Sequence, residues 1–199
     1  MSEEPELRRG LVAPAVAAEH PGLRLAWTQV DAAPGRSSAE LRERLRAMAN
    51  RMGGAQAIEL RRREVPHLHR VFFRHIGLDP DVVRVPAEAI ALRRMREGGL
   101  RSQGLVEDAL TVAVMETGVG VWAFDAACIV GAPEVREEER LIIADEAGPL
   151  ATLFGDPLPR AAVTRATQRL ALVAIGVPNV PELFVDEALW TAWDVLTAH

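Results

Sequence analysis

"LIIADEAGPLATLFGD", Leu141 to Asp156, sets one apolar run against an acidic pair, a Gly-Pro step and a second apolar run that closes on Gly155-Asp156. Short apolar runs bounded by Gly, Pro and acids read as buried strands rather than helices. The same texture fills VGVWAFDAACIV (119–130) before it and RLALVAIGV (169–177) after it. The stretch therefore predicts two strands whose ends bring Asp145 and Asp156 to one rim. Two explanations compete for those carboxylates: ordinary hairpin turn chemistry, or the walls of a pocket.

Upstream of residue 118 the period is helical. Ser37-x-x-Glu40 predicts a capping box, with Leu41, Leu45, Met48 and Met52 on one face and Gly53-Gly54 closing the helix. A second helix is expected from Pro66 to Gly77, with Leu68, Val71, Phe72 and Ile76 inward and His67, Arg70 and Arg74 outward. A third runs from Pro86 to Gly98 with Arg93 and Arg96 outward, and a fourth from Gln103 to Thr117 is apolar on most of its circumference. A strand carrying Leu23, Leu25 and Trp27 precedes them all, and a helix from Val185 to Thr197 ends the chain. Helices and strands are segregated with no βαβ repetition, which predicts an α+β fold. One domain is expected over residues 1–199.

Composition narrows the chemistry. All 23 basic residues are Arg, so a Schiff-base lysine, an SxxK nucleophile pair and a P-loop are excluded. Tyr is absent, and Ser2, Ser37, Ser38 and Ser102 sit in no GxSxG elbow. The lone Cys128 cannot form an intramolecular disulfide and lies in an apolar stretch that suits core packing. His67 and His69 are two apart, which on a helix points them in different directions, so no metal site is expected, and no cofactor either. His75 is expected near the inward face of its helix.

No run approaches a membrane span, and MSEEPELRRG lacks the apolar core of a secretory signal, so a soluble cytoplasmic protein is expected. Charge is uneven: residues 61–101 carry ten Arg against five acids, whereas 102–199 carry five against fifteen. Arg61-Arg62-Arg63 with Arg70 and Arg74 could grip phosphates through bidentate contacts, or be a solvated face whose stems cover apolar area. Asp108 and Thr111 on the fourth helix, Asp125 in a strand, and Asp145 and Asp156 with Thr164 and Thr167 behind them are polar groups among apolar neighbours. A carboxylate so placed must find donors, either as a cap or as the wall of a pocket.

Read in series, FFRHIGLDPDVVRVPAEAIALRRMREGG, LVEDALTVAVMETGVGVWAFDA and IIADEAGPLATLFGDPLPRAAVTRATQRLALVAIGV resemble the B3/B4 domain of the bacterial phenylalanyl-tRNA synthetase β subunit, and most closely the stand-alone B3/B4 proteins. The resemblance covers about Phe72 to Pro178 and implies an α+β domain with a β-sandwich-like mixed-sheet core flanked by helices. Asp108 and Thr117-Gly118 match the family's "VD…TG" helix and Asp125 its strand aspartate. Asp145, Gly148 and Pro149 match "aDe.GP", and Gly155-Asp156, Arg160, Thr164 and Thr167 match "D…R..VT..T". Thr111 stands where the family usually has Asn, Gly120 replaces a common Pro, and Asp156 is only loosely placed against a family glutamate. The segment between Asp125 and Leu141 is short and lacks the family's "GE" turn.

In the synthetase this domain hydrolyses tyrosine wrongly attached to the phenylalanine tRNA. The resemblance thus implies tRNA or aminoacyl-tRNA as partner and ester hydrolysis by a positioned water, with no protein nucleophile. Under it, Asp156 or Asp145 orders the water or binds the α-amino group. Asp108, Thr111, Asp125, Thr164 and Thr167 contact substrate, and Arg70, Arg74, Arg94 and Arg160 meet the tRNA. The alternative is a non-catalytic module that keeps the pocket for an amino acid, a metabolite or a partner protein.

Overall fold

The computed structural model describes residues 4–53, 56 and 59–198. Its fold is α+β, with two four-stranded sheets and six α-helices among the described residues. The centre is β8 (Leu170–Gly176), buried along its whole length. It pairs antiparallel with β3 (Arg24–Val30) on one side and with β4 (Gly120–Asp125) on the other, and β1 (Arg8–Arg9) extends the sheet beyond β3. A strand covered on both faces needs apolar residues at consecutive positions, which is why LALVAIG shows no alternation.

The second sheet runs β2 (Leu11–Val12), β5 (Glu134–Glu137), β6 (Leu141–Asp145), β7 (Gly148–Thr152), with β2 parallel to β5 and the rest antiparallel. The chain passes from one sheet to the other at Gly10. A Cβ there would stand 2.3 Å from Leu25 Cδ2 and 2.5 Å from the Pro133 carbonyl oxygen, so the crossing needs a residue without a side chain. Residues of both sheets, among them Leu25, Ile143, Leu150 and Leu172, belong to one hydrophobic cluster. Over it lie α5 (Leu105–Thr117) and α6 (Glu182–Thr197), which pack on each other and on β4, β8 and β3. No helix among the described residues is long and apolar enough to cross a membrane.

The remaining helices are α1 (Pro14–Glu19), α2 (Ala39–Arg51), α3 (Glu64–His75) and α4 (Pro86–Glu97). Several expectations change in detail. The N-cap of α2 is Ser38, whose Oγ accepts from the Leu41 amide at 3.1 Å, while Ser37 Oγ donates to Asp108 at 2.5 Å. The N-cap is thus one residue later than expected, the Asp108 carboxylate claiming the Ser37 hydroxyl, and Leu41 in the third helical position leaves no reciprocal capping box. Helix α2 ends at Arg51 with Met52 as its C-cap, and Gly54 lies outside the described residues. Helix α3 starts two residues before Pro66 and carries His69 and Arg70 inward, while His75 is exposed. The strands β1, β2 and β5 and the helix α1 had no sequence signal strong enough to be expected.

Candidate functional site

Asp145 ends β6 and has no solvent exposure. Its carboxylate accepts from the backbone amides of Val130 at 2.8 Å, Ala147 at 2.9 Å and Gly148 at 3.0 Å, and pairs with the Arg160 guanidinium. Arg160 in turn donates to the carbonyl oxygens of Pro149 at 2.9 Å, Cys128 at 3.1 Å and Gly148 at 2.9 Å. The pair is a clamp joining the 128–130 segment, the β6–β7 turn and the 157–161 segment. Three of these donors fall on Oδ1 and one on Oδ2, and the residue has no solvent exposure, so bulk water does not reach the carboxylate. Asp145, expected to act on substrate, is thus buried in a clamp that holds the fold, and Arg160, expected to meet RNA, holds the same clamp from the surface with its side chain one-third exposed.

Asp145 and Asp156 also fail to share a rim. Asp145 pairs with Gly148 at one end of β7, and Asp156 follows Thr152 at the other, a separation of roughly 15 Å along a five-residue strand. Past Thr152 the chain doubles back, with Pro157 bridging to Ala151 and the Leu158 amide donating to the Leu150 carbonyl at 2.7 Å.

Asp125, Thr164 and Thr167 do come together. Thr167 Oγ1 donates to Asp125 Oδ2 at 2.6 Å and accepts from the Thr164 amide at 3.0 Å, across 42 residues of sequence. Asp125 Oδ1 also accepts from the Ala127 amide at 3.0 Å, capping a short 3-10 turn at Ala126–Cys128. This is the capping role weighed for Asp125 in the sequence. Asp108, at the first turn of α5, accepts from Ser37 and from the Gln103 amide at 3.0 Å. Thr111, one turn further on, accepts from Arg93 Nη2 at 3.0 Å, tying α4 to α5. Arg93, expected outward, is thereby turned towards its neighbour.

Among the arginines expected to face RNA, Arg70 is buried: its Nη1 donates to both oxygens of Glu88 at 3.0 and 3.1 Å and its Nη2 to Asp81 at 2.9 Å. That corrects its outward placement, and the bond from Arg70 holds the Asp81 carboxyl below its usual range. Arg74 is exposed. Arg94 donates its Nε to the Ala49 carbonyl at 3.2 Å and lines a hollow between α2 and α4.

The feature that sequence reading missed is the turn after β7. Phe154 holds φ at +65°, in the left-handed region that bulky side chains avoid, so its surroundings must offset the strain. They do so with aromatic packing: ring centroids lie at 4.7 Å from Phe73, 5.7 Å from Trp122, 5.9 Å from His69 and 6.2 Å from Phe72. Trp122 Nε1 donates to the Gly155 carbonyl at 2.9 Å and fixes the next peptide. His69 is wholly buried and bonds the Val65 carbonyl through Nδ1 at 2.9 Å. Burial pushes its imidazole down to about 4, with the Val65 bond opposing, so the ring is neutral at physiological pH.

Phe154 and Gly155 form part of the wall of a cavity of about 490 Å³. Ile76, Leu78 and Leu141 supply apolar wall, and Glu19, Glu137 and Arg140 bring charges of both signs. Asp156 is the next residue along. It is exposed and makes no hydrogen bond or ion pair with the described residues. Of the carboxylates singled out in the sequence, it alone is unspent. A hollow that combines apolar wall with charged groups of both signs suits a small ligand that has an apolar body and a polar reacting end.

Neither the models of known protein families nor the curated proteins include a match to this chain.

Proposed function

We propose that the chain is a B3/B4-type domain that binds aminoacyl-tRNA apart from a synthetase and hydrolyses a mischarged ester in trans. One observation carries this reading: the cavity beside Phe154, with the free carboxylate of Asp156 one residue past its wall. The apolar wall receives the aminoacyl side chain, and the charged rim meets its α-amino group and the terminal ribose. Asp156 orders a water and takes its proton as the oxygen adds to the ester carbonyl. The bond to the ribose oxygen then breaks, and the ribose hydroxyl regains a proton. The junction of Asp125, Thr164 and Thr167 supports the same assignment, since three residues matched to the family meet in space as well as in sequence order.

A second reading, non-catalytic binding of an amino acid or small molecule in the same cavity, is favoured by the withdrawal of Asp145 into the clamp with Arg160. Deacylation of several mischarged tRNAs by the purified protein separates the two. Release of amino acid from at least one pair supports hydrolysis. Silence on every pair, with retained binding of a hydrolysis-resistant aminoacyl analogue, supports the second.

A further inference from the structure

Between the C-terminal ends of α2 and α4 lies a hollow of about 460 Å³ lined by four guanidinium groups and a single carboxylate. Arg42 and Arg46 stand one turn apart on α2, Arg94 comes from the last turn of α4, Arg101 from the segment after it, and Glu97 is the carboxylate. Arg42 Nε donates to the Ser38 carbonyl and Arg94 Nε to that of Ala49, each at 3.2 Å. Both stems are thus fixed, while no bond among the described residues uses their terminal nitrogens.

Several arginines elsewhere pair with acids, among them Arg9, Arg70, Arg136 and Arg160. Here, among the described residues, only Arg46 has a carboxylate within ion-pair distance, Glu43 at 2.9 Å. Two helix C-termini add roughly half a negative charge each. Their last-turn carbonyls are already engaged, that of Arg94 by the Gly98 and Gly99 amides and that of Ala49 by Arg94. Four guanidinium charges against Glu97 in the hollow and Glu43 on Arg46 still outweigh that field, and their mutual repulsion is relieved by an anion that offers acceptors in several directions. A phosphate does so; a lone carboxylate, with two oxygens in one plane, reaches fewer of the three chain segments.

We infer that this hollow is a phosphate-binding site. It does not rest on the aminoacyl reading, because none of its residues borders the Phe154 cavity. The ligand is a phosphate carried either by an RNA backbone or by a small phosphorylated molecule.

The test measures binding of bulk tRNA and of inorganic pyrophosphate to the full chain at two salt concentrations. The Arg42→Gln/Arg101→Gln double variant and an Arg169→Gln control, at an exposed residue paired with Asp31, are compared with the parent. Both altered residues of the double variant are exposed, so its thermal melt should match the parent's. At least one probe is expected to bind. The double variant should weaken that binding about tenfold or more and, for tRNA, reduce the salt slope by about one to two. Arg169→Gln should change neither. Sensitivity of tRNA binding to the double variant assigns the site to a polynucleotide, and the same sensitivity with pyrophosphate alone assigns it to a small ligand; both uphold it. Failure of both probes to bind the parent, or a double variant that binds as the parent does, overturns it. No ester is used, so a failure of hydrolysis leaves this result intact.

Discussion

Replacing Asp145 by Ala should unfold the protein more readily without touching a catalytic group. The substitution removes the only side-chain acceptor of three backbone amides and leaves the Arg160 guanidinium without its carboxylate. Losing the acceptor of three amides together with a pair whose guanidinium is one-third exposed costs about 3–5 kcal/mol. For a chain of this length each kcal/mol lowers Tm by roughly 2–4 °C, so a drop of roughly 6–20 °C is expected. The denaturation midpoint in urea should fall with the slope unchanged, since the exposed surface on unfolding stays the same. Asp145→Asn, which keeps one acceptor oxygen, should fall in between. Arg160→Met should be less than additive with Asp145→Ala, because the two side chains form one clamp. An Asp145→Ala protein that melts within about 1 °C of the parent would refute the clamp, and one that also lost activity would return Asp145 to the catalytic candidates.

Three further outcomes follow from the packing. Below its unfolded value of 6.5, His69 resists protonation in the fold down to about 4. The native state thus favours the neutral ring, and stability is full above pH 6.5 and falls as the pH drops towards 4. About 2 kcal/mol should be lost between pH 6.5 and 5, a slope that His69→Gln should flatten in urea titrations. Gly118→Ala forces a side chain into φ +80° with its Cβ 3.0 Å from Pro66 Cδ and 3.1 Å from Val65 Cβ. A loss of about 2 kcal/mol or more is expected, and an unchanged melting point would show that α3 yields. Glu88→Ala leaves Arg70 buried with Asp81 as its remaining close partner and should cost about 3 kcal/mol, most of it recovered in Arg70→Met/Glu88→Leu; a double variant no more stable than the single would count against a buried-charge penalty.

What could be read from the sequence divides along physical lines. Helix α5 and strands β4, β6 and β8 announce themselves because burial on several faces demands unbroken apolar runs. Strand β5, EVRE, is charged at three of its four positions and is held in its sheet by backbone hydrogen bonds, which leave no side-chain pattern. Arg70 shows why periodicity misleads: it counts apolar residues, and a buried guanidinium with its partners has the same spacing as a solvated one.

The candidate site was legible only in pieces. Asp125, Thr164 and Thr167 meet, but Asp145 and Asp156, eleven positions apart in the sequence, are parted by the length of a strand. The strained turn at Phe154 left no mark, since a positive φ at Phe follows from the rings around it and not from local propensity. Arg42 and Arg46 lie outside the basic stripe at 61–101 and reach Arg94 only through the packing of α2 beside α4.

The most direct test of the account is the rate at which Asp156→Ala deacylates a mischarged tRNA in trans, measured beside the parent and beside an Asp145→Asn protein that has retained its fold. If Asp156 orders the attacking water, its loss should cut the rate at least about a hundredfold, while tRNA affinity holds and Asp145→Asn keeps the parent's rate. An Asp156→Ala protein as fast as the parent, or a parent with no activity on any pair tried, would contradict it.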